Sequence, residues 1–246
     1  MPSVLFSSRR FCSWQSGADV EWLSGQTQRQ SWEWPFGWSN RGLNSPLWGP
    51  YAFPTTETGA LAAEEWPVIA QQLSRQAQEK GAEALQVTLP PQGYAHLASE
   101  KAVKGLELAG WQLKQALLTH QLPVNKEPFE AQASSTQRRK LRKLKKAGFA
   151  VAVEDAKGLA EFWELLKRHR GLYGIPLSMD LEALRESFFR IPEAYRLVVV
   201  RAQNHGMAAA CLAVSDTEQS LYYFLPADAA AFRQFSPSVM LVEGLY

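Results

Sequence analysis

Between Phe149 and Tyr246 the hydrophobic period changes in a fixed order, and that order constrains the fold more than any single motif. Phe149, Val151 and Val153 alternate at period two, which predicts a strand. From Gly158 to Arg170, Leu159, Phe162, Leu165 and Leu166 fall on one helical stripe. Asp180 suits the N-cap of a second helix carrying Leu181, Leu184 and Phe188, which the Ile191-Pro192 step closes. Strands over Arg196–Ala202 and Met207–Val214 flank Asn204-His205-Gly206, a hairpin turn, and a third over Ser220–Leu225 follows the turn at Ser215–Glu218. A loop from Ala227 to Ser236 then leads through Pro237, at a first-turn position, into an apolar helix ending at Tyr246. Strand, helix, helix, three antiparallel strands, loop, helix: the pattern predicts an α+β layered fold with helices flanking a mixed, mostly antiparallel sheet.

The first half carries its own elements. Trp66, Ile69, Leu73 and Ala77 recur at helical spacing between Ala62 and Lys80, and Gly81 suits a left-handed cap. Leu85, Val87 and Leu89 alternate as a strand until Pro90-Pro91 stop it. A further helix is expected from Tyr94 to Leu108, ending at Gly110, and the stretch Trp111–Leu122 reads as strand. Prolines and a glycine make Asn44–Tyr51 a turn-rich loop. Six of the nine tryptophans (Trp14, Trp22, Trp32, Trp34, Trp38 and Trp48) crowd into the first fifty residues. They fit either a core layer or an aromatic groove for a sugar.

Composition sets outer bounds. With 46% apolar residues in 246, a sizeable core is available, and a net charge of +2 excludes an overall polycationic coat. Cys12 and Cys211 lie too far apart for a disulfide framework or a zinc-ligand spacing, and are expected to be buried thiols. The start, interrupted by Arg9 and Arg10, does not read as a secretory signal, and no apolar run approaches the ~18 residues of a membrane span. A cytoplasmic protein without a metal is expected.

Asn125–Ser135, polar and containing Pro128, reads as a linker. Beyond it, seven of the nine residues from Arg138 to Lys146 are cationic, with Ser134, Ser135 or Thr136 to cap a helix and Gly148 to end it. Leu141 and Leu144, one turn apart, suit a helix docked on one face and solvated on the other. The other open reading is that Arg138, Arg139, Arg142, Lys143 and Lys146 contact phosphates of RNA or a cofactor, because so many like charges destabilise a helix unless something neutralises them.

Taken in order, the elements resemble the GNAT (Gcn5-related N-acetyltransferase) fold, nearest the Fem-type branch of peptidoglycan-bridge aminoacyltransferases. The residues carrying the resemblance are Ser45-Pro46-Leu47-Trp48-Gly49-Pro50, Leu89-Pro90-Pro91, the basic helix Gln137–Gly148 and Arg233-Gln234-Phe235-Ser236-Pro237-Ser238. The resemblance implies two tandem GNAT-like domains: 1–125, a linker with basic helix over 126–148, and 149–246. The second would lack its C-terminal strands, as in a truncated frame or a sheet completed by another chain, and the 246-residue chain alone would be unstable or inactive.

The same resemblance implies a site. Leu225, Arg233, Gln234, Phe235, Ser236, Pro237 and Ser238 would bind the cofactor, with the strand Leu221–Leu225 splayed from its neighbour to hydrogen-bond a pantetheine arm. The physics is general: a strand running into a helix aims free N–H groups and the positive dipole end at one spot, where a pyrophosphate fits. Ser236 and Ser238 stand where the family has glycines. Tyr222 or Tyr223 would protonate a leaving thiolate, and only one of two adjacent strand residues can face the site. His205 reads as a solvated turn residue, His169 and Arg170 as residues favouring a helix C-terminus, and Tyr173-Gly174-Ile175-Pro176 as an acceptor loop. The implied function is N-acyl transfer from acyl-CoA to an amine of a cell-envelope or amino-sugar precursor. The alternatives are an aminoacyl-tRNA-dependent transferase, with tRNA as partner, and an inactive RNA- or partner-binding remnant.

Overall fold

The computed structural model describes residues 5–13, 20–94, 99–177, 179–203, 206–217 and 219–246, and the chain divides into two units, Met1–Leu122 and Pro123–Tyr246. Trp14, Asn204, His205 and Glu218 lie outside the described residues.

In the first unit a short helix α1 (Arg9–Cys12), capped by the Ser8 side chain, precedes β1 (Val20–Gln26), β2 (Ser31–Ser39), β3 (Gly42–Ser45) and β4 (Thr55–Thr56). Strands β1, β2 and β3 run antiparallel in turn, and β4 pairs with the start of β2. Helix α2 (Glu65–Glu79) is the crossover that lets β5 (Ala84–Val87) lie parallel to β3. Its stripe Trp66, Ile69, Leu73 and Ala77 is buried, and Gly81 takes φ +78°, as the spacing predicts. Glu65, 4% exposed, joins the helix start to the β1–β2 turn: its carboxylate accepts from Thr27 Oγ1 (2.6 Å) and from the Ala62 N–H (2.8 Å). Helix α3 (Ser99–Leu108) covers the later part of the expected helix, residues 95–98 lying outside the described set, and ends at Gly110 with φ +89°.

Two expectations change here. Trp32 and Trp34 are core, Trp34 packs edge-on against Trp66, and the Arg9 guanidinium lies over Trp22 at 4.5 Å. The early tryptophans thus divide between core and margin, Trp38 being 38% exposed. Residues 111–122 form no strand; Leu113, Leu117 and Leu118 are exposed. A period-two pattern supplies a pleated face, but a strand also needs a neighbouring edge for its N–H and C=O groups, and no described strand pairs with this stretch.

The second unit opens with α4 (Phe129–Gln132) and α5 (Ser135–Lys146), followed by β6 (Ala150–Glu154), α6 (Leu159–Leu172), α7 (Leu181–Arg190), β7 (Tyr195–Arg201), β8 (Met207–Thr217), β9 (Ser220–Asp228) and α8 (Ser238–Leu245). The four strands pair antiparallel in the order β6-β7-β8-β9. Ser134 and Gln137 close a reciprocal capping box on α5, Gly148 ends it with φ +76°, and Leu141 and Leu144 are fully buried. Those leucines join Val198, Val200, Ala209, Cys211, Ala213, Met240 and Leu241 in one core. Helices α5 and α8 therefore cover one sheet face, and α6 packs on β8 and β9 with Phe162, Leu165 and Leu166 buried. β8 is buried along nearly its whole length, and its run Ala208-Ala209-Ala210 suits a strand between covered faces.

Candidate active site

Strand β9 is the pivot of the site. It pairs with β8 alone, so its other edge carries no described strand. The expected splay from its neighbour is absent: pairing with β8 extends from Ser220 to Asp228, because both faces of β8 are packed and hold the ladder together. The register instead shifts at one point. Leu212 lies opposite Leu225 while Ala213 lies opposite Tyr223, so Phe224 is the extra residue of a bulge. Cross-strand partners share a face, so the bulge turns Leu225 and Tyr223 to opposite sides. Tyr222, opposite Val214, shares the α6 face with Leu225, whereas Tyr223, opposite Ala213, lies on the other side of the sheet and is 38% exposed. Burial, with the charges of Cys211 and Asp228 adding to it, holds the Tyr223 phenol above the ordinary tyrosine range.

On the α6 side a cavity of about 140 Å³ opens between α6, the loop before α7, and β9. Trp163 and Leu166 of α6, Pro176, Leu177 and Met179 of the loop, and Leu225 of β9 line it. Arg170, in the last turn of α6, is its one charged lining residue. Beside it, His169 Nδ1 lies 2.8 Å from Asp228 Oδ1, joining the end of α6 to the end of β9. This contact with the carboxylate is the shortest that Nδ1 makes; the Asp228 N–H donates to Nδ1 at 3.1 Å, and the Asp228 carbonyl oxygen lies at 3.2 Å. A proton on Nδ1 directed at the carboxylate leaves the Nε2 lone pair available. Tyr173 packs against the imidazole with ring centroids 5.3 Å apart.

The far end of α6 is fixed by a second cluster. Arg201 of β7 lies between Glu154 (2.6 Å) and Glu161 (2.8 Å), and the Met207 N–H donates to Glu161 at 3.0 Å. The Arg201 guanidinium, with that N–H, holds the Glu161 carboxyl below its usual range despite partial burial. Anchored to β7 and β8 at one end and to β9 at the other, α6 holds His169 in place.

The loop expected at a phosphate is distributed differently. Arg233 turns back, its Nε 3.1 Å from Asp228 Oδ2, and its guanidinium lies 5.5 Å from the Tyr173 ring. Phe235 packs on Phe149 at 5.1 Å. Lys143 reaches this loop from α5, its ammonium 4.7 Å from the Phe235 ring and 3.4 Å from the Gln234 carbonyl oxygen. Ser236 adopts φ +56°, which a glycine would take without strain, and its carbonyl accepts from Val239 N–H, while that of Pro237 accepts from Met240 and Leu241. Pro237 occupies the cap position and Ser238 the first position of α8. Of the basic-helix residues, Arg138 donates to the Ala133 carbonyl (2.8 Å), and Arg139, Arg142 and Lys146 stay exposed, outside every ion pair among the described residues. Cys12 and Cys211 are buried, and burial pushes Cys12 up to about 12, so it remains a thiol. Among the described residues no helix is long and apolar enough to cross a membrane.

Sequence reasoning missed the His169–Asp228 pair, because fifty-nine residues separate them and both have ordinary local roles at element ends.

Residues 131–245 match the family described as "Acetyltransferase (GNAT) domain". Among solved structures the chain is similar to one titled "Crystal structure of FemX", at 14% identity and a TM-score of 0.64, covering 98% of this chain and 79% of that one. It is also similar to the C-terminal domain of a putative lysylphosphatidylglycerol synthetase from Agrobacterium fabrum, at 13% identity and a TM-score of 0.50, covering 91% of this chain and 65% of that one. No curated protein matches the sequence. The matched GNAT acetyltransferase domain falls within the second unit, and the likeness to the solved structures is one of fold. More narrowly, two helix-flanked sheets in tandem give the chain the GNAT/Fem-like layout, with the GNAT acetyltransferase domain in its second unit.

Proposed function

We propose that the second unit transfers an acyl group from acyl-CoA to a primary amine, with His169 as general base and Asp228 as its orienting partner. The observation that carries this is the 2.8 Å His169–Asp228 contact beside the cavity and the edge of β9 that pairs with no described strand. An extended amide arm hydrogen-bonds to a free strand edge as a further strand would. The amine nitrogen attacks the thioester carbonyl, the C–N bond forms and the C–S bond breaks. The amine proton passes to His169 Nε2, and the leaving thiolate is protonated, with Tyr222 the tyrosine on the α6 face. Release of free CoA thiol from acetyl-CoA on addition of primary amines tests this. Amine-dependent thiol release supports the reading; none with any amine, at any salt, overturns it.

A second donor is favoured by one observation. Arg139, Arg142 and Lys146 leave a stripe of exposed cations on α5, which suits the phosphates of an aminoacyl-tRNA. Binding of tRNA would weaken with salt at a slope of about 0.7 per neutralised single-strand phosphate, whereas binding of CoA, with few charges, would change little. An RNA-binding remnant would show the first behaviour and no transfer from either donor.

A further inference from the structure

Resting on the acyl-transfer reading, we infer that the cavity beside His169 is the acceptor subsite and that it takes an α-amino acid with an apolar side chain of branched-aliphatic or single-ring size. Three features converge. Trp163, Leu166, Met179 and Leu225 among its lining side chains offer apolar contact to a substrate side chain. A volume of about 140 Å³ admits one side chain of the size of leucine or phenylalanine, since a dry cavity of about 150 Å³ holds benzene. The charged lining residue is a guanidinium, whose planar fork matches a carboxylate.

Arg170 shares with Arg139, Arg142, Arg168 and Arg185 the lack of an ion pair among the described residues, and of these it alone lines the cavity. Arg201 is paired with Glu154 and Glu161, Arg190 with Glu186 and Arg233 with Asp228, but Arg170 makes no ion pair with any described residue. The dipole at the end of α6 favours a cation at this position, and the other residues lining the cavity carry no charge to pair with it. An α-amino acid presents carboxylate, amine and side chain from one carbon. Its carboxylate meets Arg170, its side chain fills the cavity, and its amine lies beside the preceding residue, His169. The balanced step is acyl-S-CoA plus amino acid giving N-acyl amino acid plus CoA thiol, the nitrogen losing one proton and the sulfur gaining one.

Binding and transfer are measured separately on the full chain. Isothermal titration compares L-phenylalanine with phenethylamine, which lacks only the carboxylate, and with glycine, which lacks the side chain. Each is expected to bind the wild type about tenfold or more weakly than phenylalanine, the scale of one charge-assisted pair or one buried ring. In Arg170→Met, with fold checked by circular dichroism, phenylalanine and phenethylamine should bind alike. Equal binding of the two by the wild type, failure of phenylalanine to bind, or an undiminished preference in Arg170→Met each overturns the inference. Thiol release with acetyl-CoA then tests the underlying reading alone: phenylalanine binding without thiol release would leave the subsite standing and remove the donor.

Discussion

Asp216, near the end of β8, is 1% exposed and sits where β8 turns into the strand that carries the site. Its carboxylate accepts from Ser220 Oγ at 2.7 Å and from the backbone N–H groups of Asp216 and Thr217, yet burial outweighs these bonds and raises its pKa from 3.8 to about 6. The folded protein therefore holds this proton to higher pH than the unfolded chain. Stability from this group is full below about pH 3.8, falls as pH rises, and is lost above about pH 6. A shift of about 2 units corresponds to about 3 kcal/mol, and roughly 2 kcal/mol of it lies between pH 4.5 and 7.5. Asp216→Asn keeps an acceptor for Ser220 but cannot ionise. Native-state hydrogen exchange of the β8 and β9 amides, compared between variant and wild type at each pH, isolates the effect from whatever the amide costs by itself. The variant's protection relative to wild type should rise roughly thirtyfold from pH 4.5 to 7.5. A ratio that stays the same at both pH values would refute the claim that Asp216 is buried and ionises at a cost.

Three further perturbations probe the frame. Leu141→Ala empties a fully buried position beneath the basic helix, so it should cost about 3–5 kcal/mol in urea unfolding of the second unit, whereas Arg139→Ala should lie within about 0.5 kcal/mol. Gly105→Ala in α3 would bring its new Cβ to 2.1 Å from Trp66 Cβ. Overpacking of about 1–3 kcal/mol should outweigh the better helix propensity and lower the melting temperature. Tyr222→Phe should lower kcat for thiol release by about tenfold or more, and Tyr223→Phe should leave it near wild type, because the Phe224 bulge turns only Tyr222 to the α6 face.

Much of the fold was legible because it is written locally. The stripes of α2 and α6, the capping serine and leucine pair of α5, and the left-handed glycines after α2, α3 and α5 each rest on residues a few positions apart. The strand expected over 111–122 failed because pairing is decided by a partner edge, which periodicity does not encode. The site was legible only in part. Leu225 was expected at the cofactor and the Tyr173–Pro176 loop at the acceptor, and the cavity draws lining from Leu225 and Pro176. Arg233 was expected at a phosphate and lies against Asp228, a partner only five residues away that competes for the same guanidinium. The bulge at Phe224 changes which tyrosine faces α6, and the sequence there shows neither glycine nor any other break to mark it. His169 and Asp228 meet only after α6 has packed across the sheet.

The most direct test of acyl transfer at the end of β9 is a mutant cycle on kcat for amine-dependent CoA release, using His169→Asn, Asp228→Asn and the double variant, with acetyl-CoA binding measured in parallel. Acting as one unit, the pair predicts that His169→Asn lowers kcat about 10²-fold or more, that Asp228→Asn lowers it less, and that the double variant falls no further than His169→Asn. Acetyl-CoA affinity should stay unchanged throughout. Single variants with wild-type kcat, or losses that simply multiply in the double variant, would contradict the assignment.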